Sequence, residues 1–381
     1  MTPHATAADA APRARRPRPA ARAGRLLAVV TVLATGVLAA GCGVRLDTPP
    51  PAEPSPDTVE LLRSGAVDDA LAVAALVADV TPRVTDPAAL AVLGEAATFA
   101  EQHVDALGGV YDSGLEEPTE PEDDVAGEAG TDAPGTGTAA PGTDGTTSDP
   151  GSTGTSTGTS TEASTDTAGT PAPGTATTDD VVTALVGAAE RTGAAADASP
   201  DARLARLLAS VAASEHVSAQ RLAAATGSTA AAGLADPPLV DEAPGGVGAA
   251  DLATLVEAED AAGYGYEVRA AQSEGDVRTA AVARAAQHRA RAQGWALAAG
   301  TDGTPQDPRR VAYALPDGTD ASALARQVES GLAQTYASLV AAAAPTSRAE
   351  AVALLADAWA SAVAWGEAPV AFPGLPEQTA G

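Results

Sequence analysis

The chain contains no lysine. All 22 of its basic residues are arginine, set against 50 Asp and Glu, for a formal charge of −28 over 381 residues. So acidic a chain is a poor nucleic-acid binder, because neutralising phosphates takes clustered Lys and Arg. A single cysteine, Cys42, excludes an intrachain disulfide and a cysteine-rich metal site. Four histidines (His4, His103, His216 and His288) are scattered too widely for an all-His metal centre within one domain. Aromatic residues make up only 3% of the chain although 45% is hydrophobic, much of it alanine. Helices built this way approach closely around a thin core. The Ala, Arg and Gly content also carries the imprint of GC-rich coding, so not every alanine is a structural choice. Motifs for catalysis are missing too. There is no G-x-S-x-G, H-E-x-x-H, phosphate loop or G-x-G-x-x-G, and the GYGYE run at 263–267 lacks the following glycine. With so few and such scattered histidines, no Ser-His-Asp constellation is visible.

What is present begins with an address. Arg13, Arg15, Arg16, Arg18, Arg22 and Arg25 precede a fifteen-residue apolar run from Leu26 to Ala40. A basic region before a short apolar run describes an export signal, since a membrane-spanning helix needs about 20 apolar residues. The run ends in LAAGC, with Ala39 three places before Cys42. This resembles the lipobox of bacterial lipoproteins, although leucine is the commonest residue at the place of Ala39. The resemblance implies cleavage between Gly41 and Cys42 and a diacylglycerol on the Cys42 thiol. Two acyl chains hold a protein stably at a bilayer. The expected location is therefore the extracytoplasmic face of the cell membrane. Removing residues 1–41, with six Arg and one Asp, takes the formal charge from −28 to −33. Such a chain is repelled by anionic head groups, so the lipid must do the anchoring.

Residues 42–56 read as a Pro-rich stalk. A longer irregular stretch, 113–178, holds twelve Asp and Glu, no Arg and no aromatic residue, with Leu115 and Val125 as its only bulky apolar side chains. It cannot bury enough surface to offset ordering entropy and is expected to be disordered. Its Ser, Thr and Pro content suits O-glycosylation.

The remainder reads as helix, at about 57–80, 86–111, 180–195, 200–226, 249–272, 275–299, 320–344 and 347–366. Ser55-Pro56, Asp86-Pro87 and Ser199-Pro200 place a capping side chain before a proline, and Ser347 with Glu350 forms a capping-box pattern. No segment alternates with period two. The expected fold is all-α, as two antiparallel four-helix bundles: one over 57–230, interrupted by the 113–178 insertion, and one over 249–376.

The strings LVEAEDAAGYGYEV (255–268), AAQHRARAQ (285–293), RRVAYALPDGTDASA (309–323), VESGLAQTYASLV (328–340) and AFPGLP (371–376) occur in that order. In them the C-terminal half resembles a ferritin-like family numbered 4439 among domains of unknown function, found in secreted proteins and lipoproteins of high-GC Gram-positive bacteria. The resemblance implies a ferritin-like four-helix bundle and supplies no activity.

Ferritin-like bundles that hold two metals use one Glu on each of two helices and E-x-x-H on each of the others. Helical spacing places Glu259, His288 and Glu329 on inward faces here, with Tyr266 beside them. But Ala285 stands three before His288, where a ligating Glu is needed, and the fourth helix offers only Asp357, about 200° round from Trp359. The metal set is therefore incomplete. The favoured reading is a structural polar cluster, with Arg284, Arg291 and the hydroxyls of Tyr264, Tyr266 and Tyr336 as partners. The alternative is an iron or manganese site on Glu259, His288 and Glu329; a further one is a ligand pocket lined by Tyr266, Trp295, Tyr336 and Trp359. Three helices also carry A-x-x-H, at 100–103, 213–216 and 285–288. Common descent of the two halves and coincidence in an Ala-rich chain explain this equally well. The functional expectation is a non-catalytic binding or structural component of the cell envelope, its partner unspecified, with a ferritin-like metalloprotein as the alternative.

Overall fold

The computed structural model describes residues 55–112, 174–235, 238–315 and 321–379. The signal, Gly41, Cys42, nearly all of the stalk and residues 113–173 of the acidic insertion lie outside them. Eight long helices carry the described chain: α1 (Thr58–Val80), α2 (Pro87–Leu107), α3 (Thr178–Ala198), α4 (Ala202–Thr226), α5 (Ala249–Ala271), α6 (Gly275–Ala298), α7 (Ala321–Ala342) and α8 (Ala349–Ala364). A last turn, α9 (Pro376–Thr379), follows. No strand occurs among the described residues, and the fold is all-α.

Asp86 caps α2 as its sequence suggests, its carboxylate accepting from the Ala88 N–H at 2.8 Å. Three other expected caps are displaced. Asp57, not Ser55, caps α1 through the Glu60 N–H, and Asp201, not Ser199, caps α4 through the N–H groups of Arg203 and Leu204. In each case the proline opens the turn before the helix and the carboxylate closes it, an anion being the better match for the positive helix end. The Ser347–Glu350 box does not form. Instead Asp197, at the end of α3, accepts from the N–H groups of Arg348 (2.5 Å) and Ala349 (3.1 Å) and caps α8 from another helix. Residues 174–178, expected to be disordered, are ordered. Asp79 accepts from the Gly174 N–H, Arg83 donates to the Ala176 carbonyl at 2.7 Å, and Thr177 and Asp180 form a capping box at the start of α3. α2 ends at Leu107 rather than 111 because Gly108 takes a left-handed conformation (φ 88°).

The first four and last four helices form two groups with the same pairing pattern. In each, the first helix packs on the second and the third, and the third packs on the fourth. α2 and α4 also pack together, whereas α6 and α8 meet mainly through long side chains. The two groups share one core. α4 packs on α7 and α8 as well as within its own group, and is buried on nearly every side: Leu208, Ala209, Ser210, Val211, Ala212, Ala213, Ser214 and Glu215 form a continuous buried run. Small side chains all round a helix are what permit it to be surrounded in this way.

The closing AFPGLP segment straps the groups together. Ser210 donates to the Pro373 carbonyl at 2.7 Å, Ser214 to that of Val370 at 3.2 Å, and Phe372 packs edge-on against His103. Gly374 (φ 74°) is required where it stands, since a Cβ there would lie 2.7 Å from the Ala333 carbonyl oxygen.

Candidate functional site

The largest concentration of buried polar groups lies within the second group of helices. On α5, Leu252, Leu255, Val256, Glu259, Ala262 and Tyr266 recur at helical spacing and are buried together. α6 contributes Arg284, His288, Arg291 and Trp295 from one face, and α7 contributes Glu329, Leu332 and Tyr336. The structure brings together all four residues singled out from the sequence, Glu259, His288, Glu329 and Tyr266. The first three are wholly buried.

His288 sits at the centre. Its Nδ1 lies 2.6 Å from Glu259 Oε2 and its Nε2 3.2 Å from Glu329 Oε1, and Tyr266 stacks on its ring. Tyr336 donates its hydroxyl to Glu259. Around Glu329 the shell is fuller: Oε1 accepts from the Tyr266 hydroxyl (2.7 Å), the Ser361 hydroxyl (2.8 Å) and Arg284 Nε (2.7 Å), and Oε2 accepts from Arg284 Nη2 (2.7 Å). The same guanidinium reaches Asp357 on α8 at 2.7 Å, and Arg291 meets the same Asp357 oxygen at 2.7 Å. Three carboxylates therefore face two guanidinium groups and one imidazole.

Burial opposes charge on Arg284, His288, Glu329 and Asp357, and the pairing overrides it. Burial pulls the His288 imidazole down, but Glu259 and Glu329 outweigh it and raise its pKa. Burial pushes the Glu329 carboxyl up, but Arg284 and His288 hold it well below the usual carboxylate range. Asp357 is likewise lowered, against its burial, by Arg284 and Arg291. Burial and a neighbouring carboxylate together raise both phenols, Tyr266 beside Glu329 and Tyr336 beside Glu259. A protonated His288 makes the six charges balance.

One member, Ser361, was missed in the sequence, and another, Asp357, was set aside there by its angle from Trp359. Asp357, opposite Trp359 on α8, reads as solvent-facing; yet α8 packs on α3, α4 and α7 and faces α6, so its polar side meets protein too. Ser361 is four residues further along, on the same side. The i, i+4 spacing of Asp357 and Ser361 is the signal that marks them. Of the expected partners, Arg291 pairs with Asp357 rather than with a glutamate. Tyr264 takes no part and lies against Tyr313. Tyr266, Trp295, Tyr336 and Trp359, at 0–6% exposure, are packed core rather than the walls of a pocket.

The donor set does not suit a metal ion. Both ring nitrogens of His288 already face carboxylate oxygens, and one guanidinium covers both oxygens of Glu329. An ion seated among Glu259, His288 and Glu329 would lie against the Arg284 cation. No group of three or more His, Cys, Asp or Glu arranged to hold a metal is found among the described residues.

Residues 251–377 match the family model described as Domain of unknown function (DUF4439). The match covers a third of the chain. It runs from the first turn of α5 to the strap, and so contains the whole buried cluster. No curated protein and no solved structure matches the chain.

The A-x-x-H histidines diverge in use. His103, in the second helix of the first group as His288 is in the second, is also wholly buried, but its Nε2 donates to the Ala371 carbonyl (2.8 Å) instead of meeting a carboxylate. Burial lowers its pKa to about 4, against a smaller opposing effect of that carbonyl, and keeps it neutral. His216 lines a groove beside α3 and α8. Its neighbour Glu215 points into the first group, buried, with neither oxygen hydrogen-bonded among the described residues; burial, with Asp69 nearby, pushes its pKa well up.

Proposed function

We propose that this protein is an extracytoplasmic lipoprotein, held at the cell membrane by a diacylglycerol on Cys42, whose ferritin-like helical groups serve as a rigid, non-catalytic binding or structural component of the envelope. The observation that carries the non-catalytic half of this reading is that the cluster's carboxylates are spent on its own cations and hydroxyls. Glu329 spends its two oxygens on Arg284, Tyr266, Ser361 and His288, so the groups that would do chemistry neutralise one another instead. The cluster joins α5, α6, α7 and α8 by specific pairs, which suits a register-fixing role. The anchoring half rests on the LAAGC sequence and the basic, apolar run before it. An acidic stretch such as 113–178 would keep a second segment of the protein away from an anionic surface. The same reading treats the implied iron or manganese site as lost, its place taken by Arg284.

Fractionation of cells expressing wild-type protein and Cys42→Ala tests the anchor. The wild type should sediment with membranes and the variant should appear in the medium or remain unprocessed. A processed Cys42→Ala protein that stays with membranes would show that something other than lipid retains it.

A further inference from the structure

Between α6 and α8 the second helical group is open to solvent. Arg284 and Arg291 bridge to Asp357 across the gap there. Above that bridge lies a cleft of about 460 Å³, within the range of small-molecule sites. Arg284, Gln287 and Ser361 line it with polar groups, Ala283 and the Trp365 ring supply apolar wall, and Asp276 stands at its edge. Val277, 44% exposed, adds an apolar side chain to the lining.

The electrostatics narrow what fits. An anion would meet Asp276 at the edge and an Arg284 charge already shared between Glu329 and Asp357. A cation would meet Arg284, and beyond Trp365 a second guanidinium, since Arg269 stacks on that ring at 4.4 Å. A neutral ligand meets no such opposition. The hydrogen-bonding groups are mixed. Gln287 turns its carbonyl oxygen to Arg284, leaving its amide N–H groups as donors. Ser361 donates to Glu329 and so keeps its lone pairs as acceptors. Four of the five Arg284 N–H groups are taken by Glu329, Asp357 and Gln287, leaving one for a ligand oxygen.

We infer that the cleft binds a neutral, hydroxyl-bearing ring of the sugar class, its C–H face on Trp365 and alanine and its hydroxyls on Gln287, Ser361 and Arg284. Each hydroxyl both donates and accepts, as this wall requires. The ring has an apolar face for the apolar wall. The site is independent of the Cys42 anchor, so its failure would leave the membrane reading intact.

Calorimetric titration of the full chain with maltotriose and with the trimer of N-acetylglucosamine tests the inference, with citrate and choline as anionic and cationic comparisons. Saturable binding of at least one sugar is expected, at about millimolar Kd for so open a site. Ala283→Phe, a change at an exposed wall position, should weaken it at least about tenfold while leaving the melting temperature unchanged. Gln287→Ala should weaken it as well and serves if the first variant is poorly folded. No saturable response to either sugar, equal affinity in the folded variants, or saturable binding of citrate or choline in place of the sugars would overturn the proposal.

Discussion

Arg284 on α6 holds both oxygens of Glu329 on α7, at 2.7 Å each. The pair is nearly dry, with side-chain exposures of 9% and 0%. Removing one member of such a pair strands the other. Arg284→Met should therefore destabilise the protein by about 3–5 kcal/mol. Adding Glu329→Gln to it should cost less than the two single changes summed, by at least about 1 kcal/mol. Urea unfolding of the two singles and the double measures this. Additive, small effects would show that the cluster does not act as a unit.

The two buried histidines should give opposite pH dependences. His103 has its pKa lowered to about 4, so the unfolded chain binds the proton more readily. Its contribution is present above the unfolded value near 6.5 and is lost as pH falls towards 4, with a ceiling of about 3 kcal/mol. His103→Gln, which keeps a donor for the Ala371 carbonyl, should flatten that acid limb. His288 is raised, so its contribution is full below 6.5 and fades as pH rises through the folded value. His288→Gln should flatten the alkaline side instead. Melting temperatures of both variants from pH 4 to 9 decide the matter; the same limb lost in both would contradict it.

Glu215 should make the protein less stable in alkali. Its carboxyl is buried with no well-formed hydrogen bond, and burial and Asp69 raise its pKa against a smaller opposing effect of Thr192 and Arg191. The contribution of such a group is full below the unfolded carboxyl value and is lost progressively as pH rises from there through the folded one. Glu215→Gln should raise the melting temperature at pH 9 and change it little at pH 5. A variant less stable than wild type at both values would mean that the carboxylate has a partner.

The strap should be essential to the shared core. Phe372→Ala should cost about 3–5 kcal/mol, as for a large aromatic in a core. Gly374→Ala should also be destabilising, because its Cβ would meet the Ala333 carbonyl and its φ is positive. Both are read by thermal unfolding. If AFPGLP were a loose tail, neither would matter.

Much of this was legible in the sequence, because helical periodicity is a local property. The eight helices fall within a few residues of their expected places, and the inward positions of Glu259, His288 and Glu329 follow from spacing alone. What was hidden depends on contacts between distant segments. Asp197 caps α8 from about 150 residues away, displacing the local Ser347–Glu350 box. The all-round burial of α4 comes from α7 and α8 and has no period to announce it. Asp357 reads as solvent-facing because its partners, Arg284 and Arg291, stand on another helix. The ordering of residues 174–178 depends on Asp79 and Arg83, far back in the chain.

The measurement that bears most directly on the buried cluster is a titration of the purified full chain with Fe(II), Mn(II) and Zn(II), following its melting temperature. An ion bound specifically by the folded state raises that temperature with its free concentration. With Glu329 held by Arg284 and His288 shared between two carboxylates, no rise at micromolar metal is expected. A rise of several degrees in the wild type, abolished by Glu259→Gln with Glu329→Gln, would contradict the structural role and make these residues ligands, since divalent ions need the carboxylate charge.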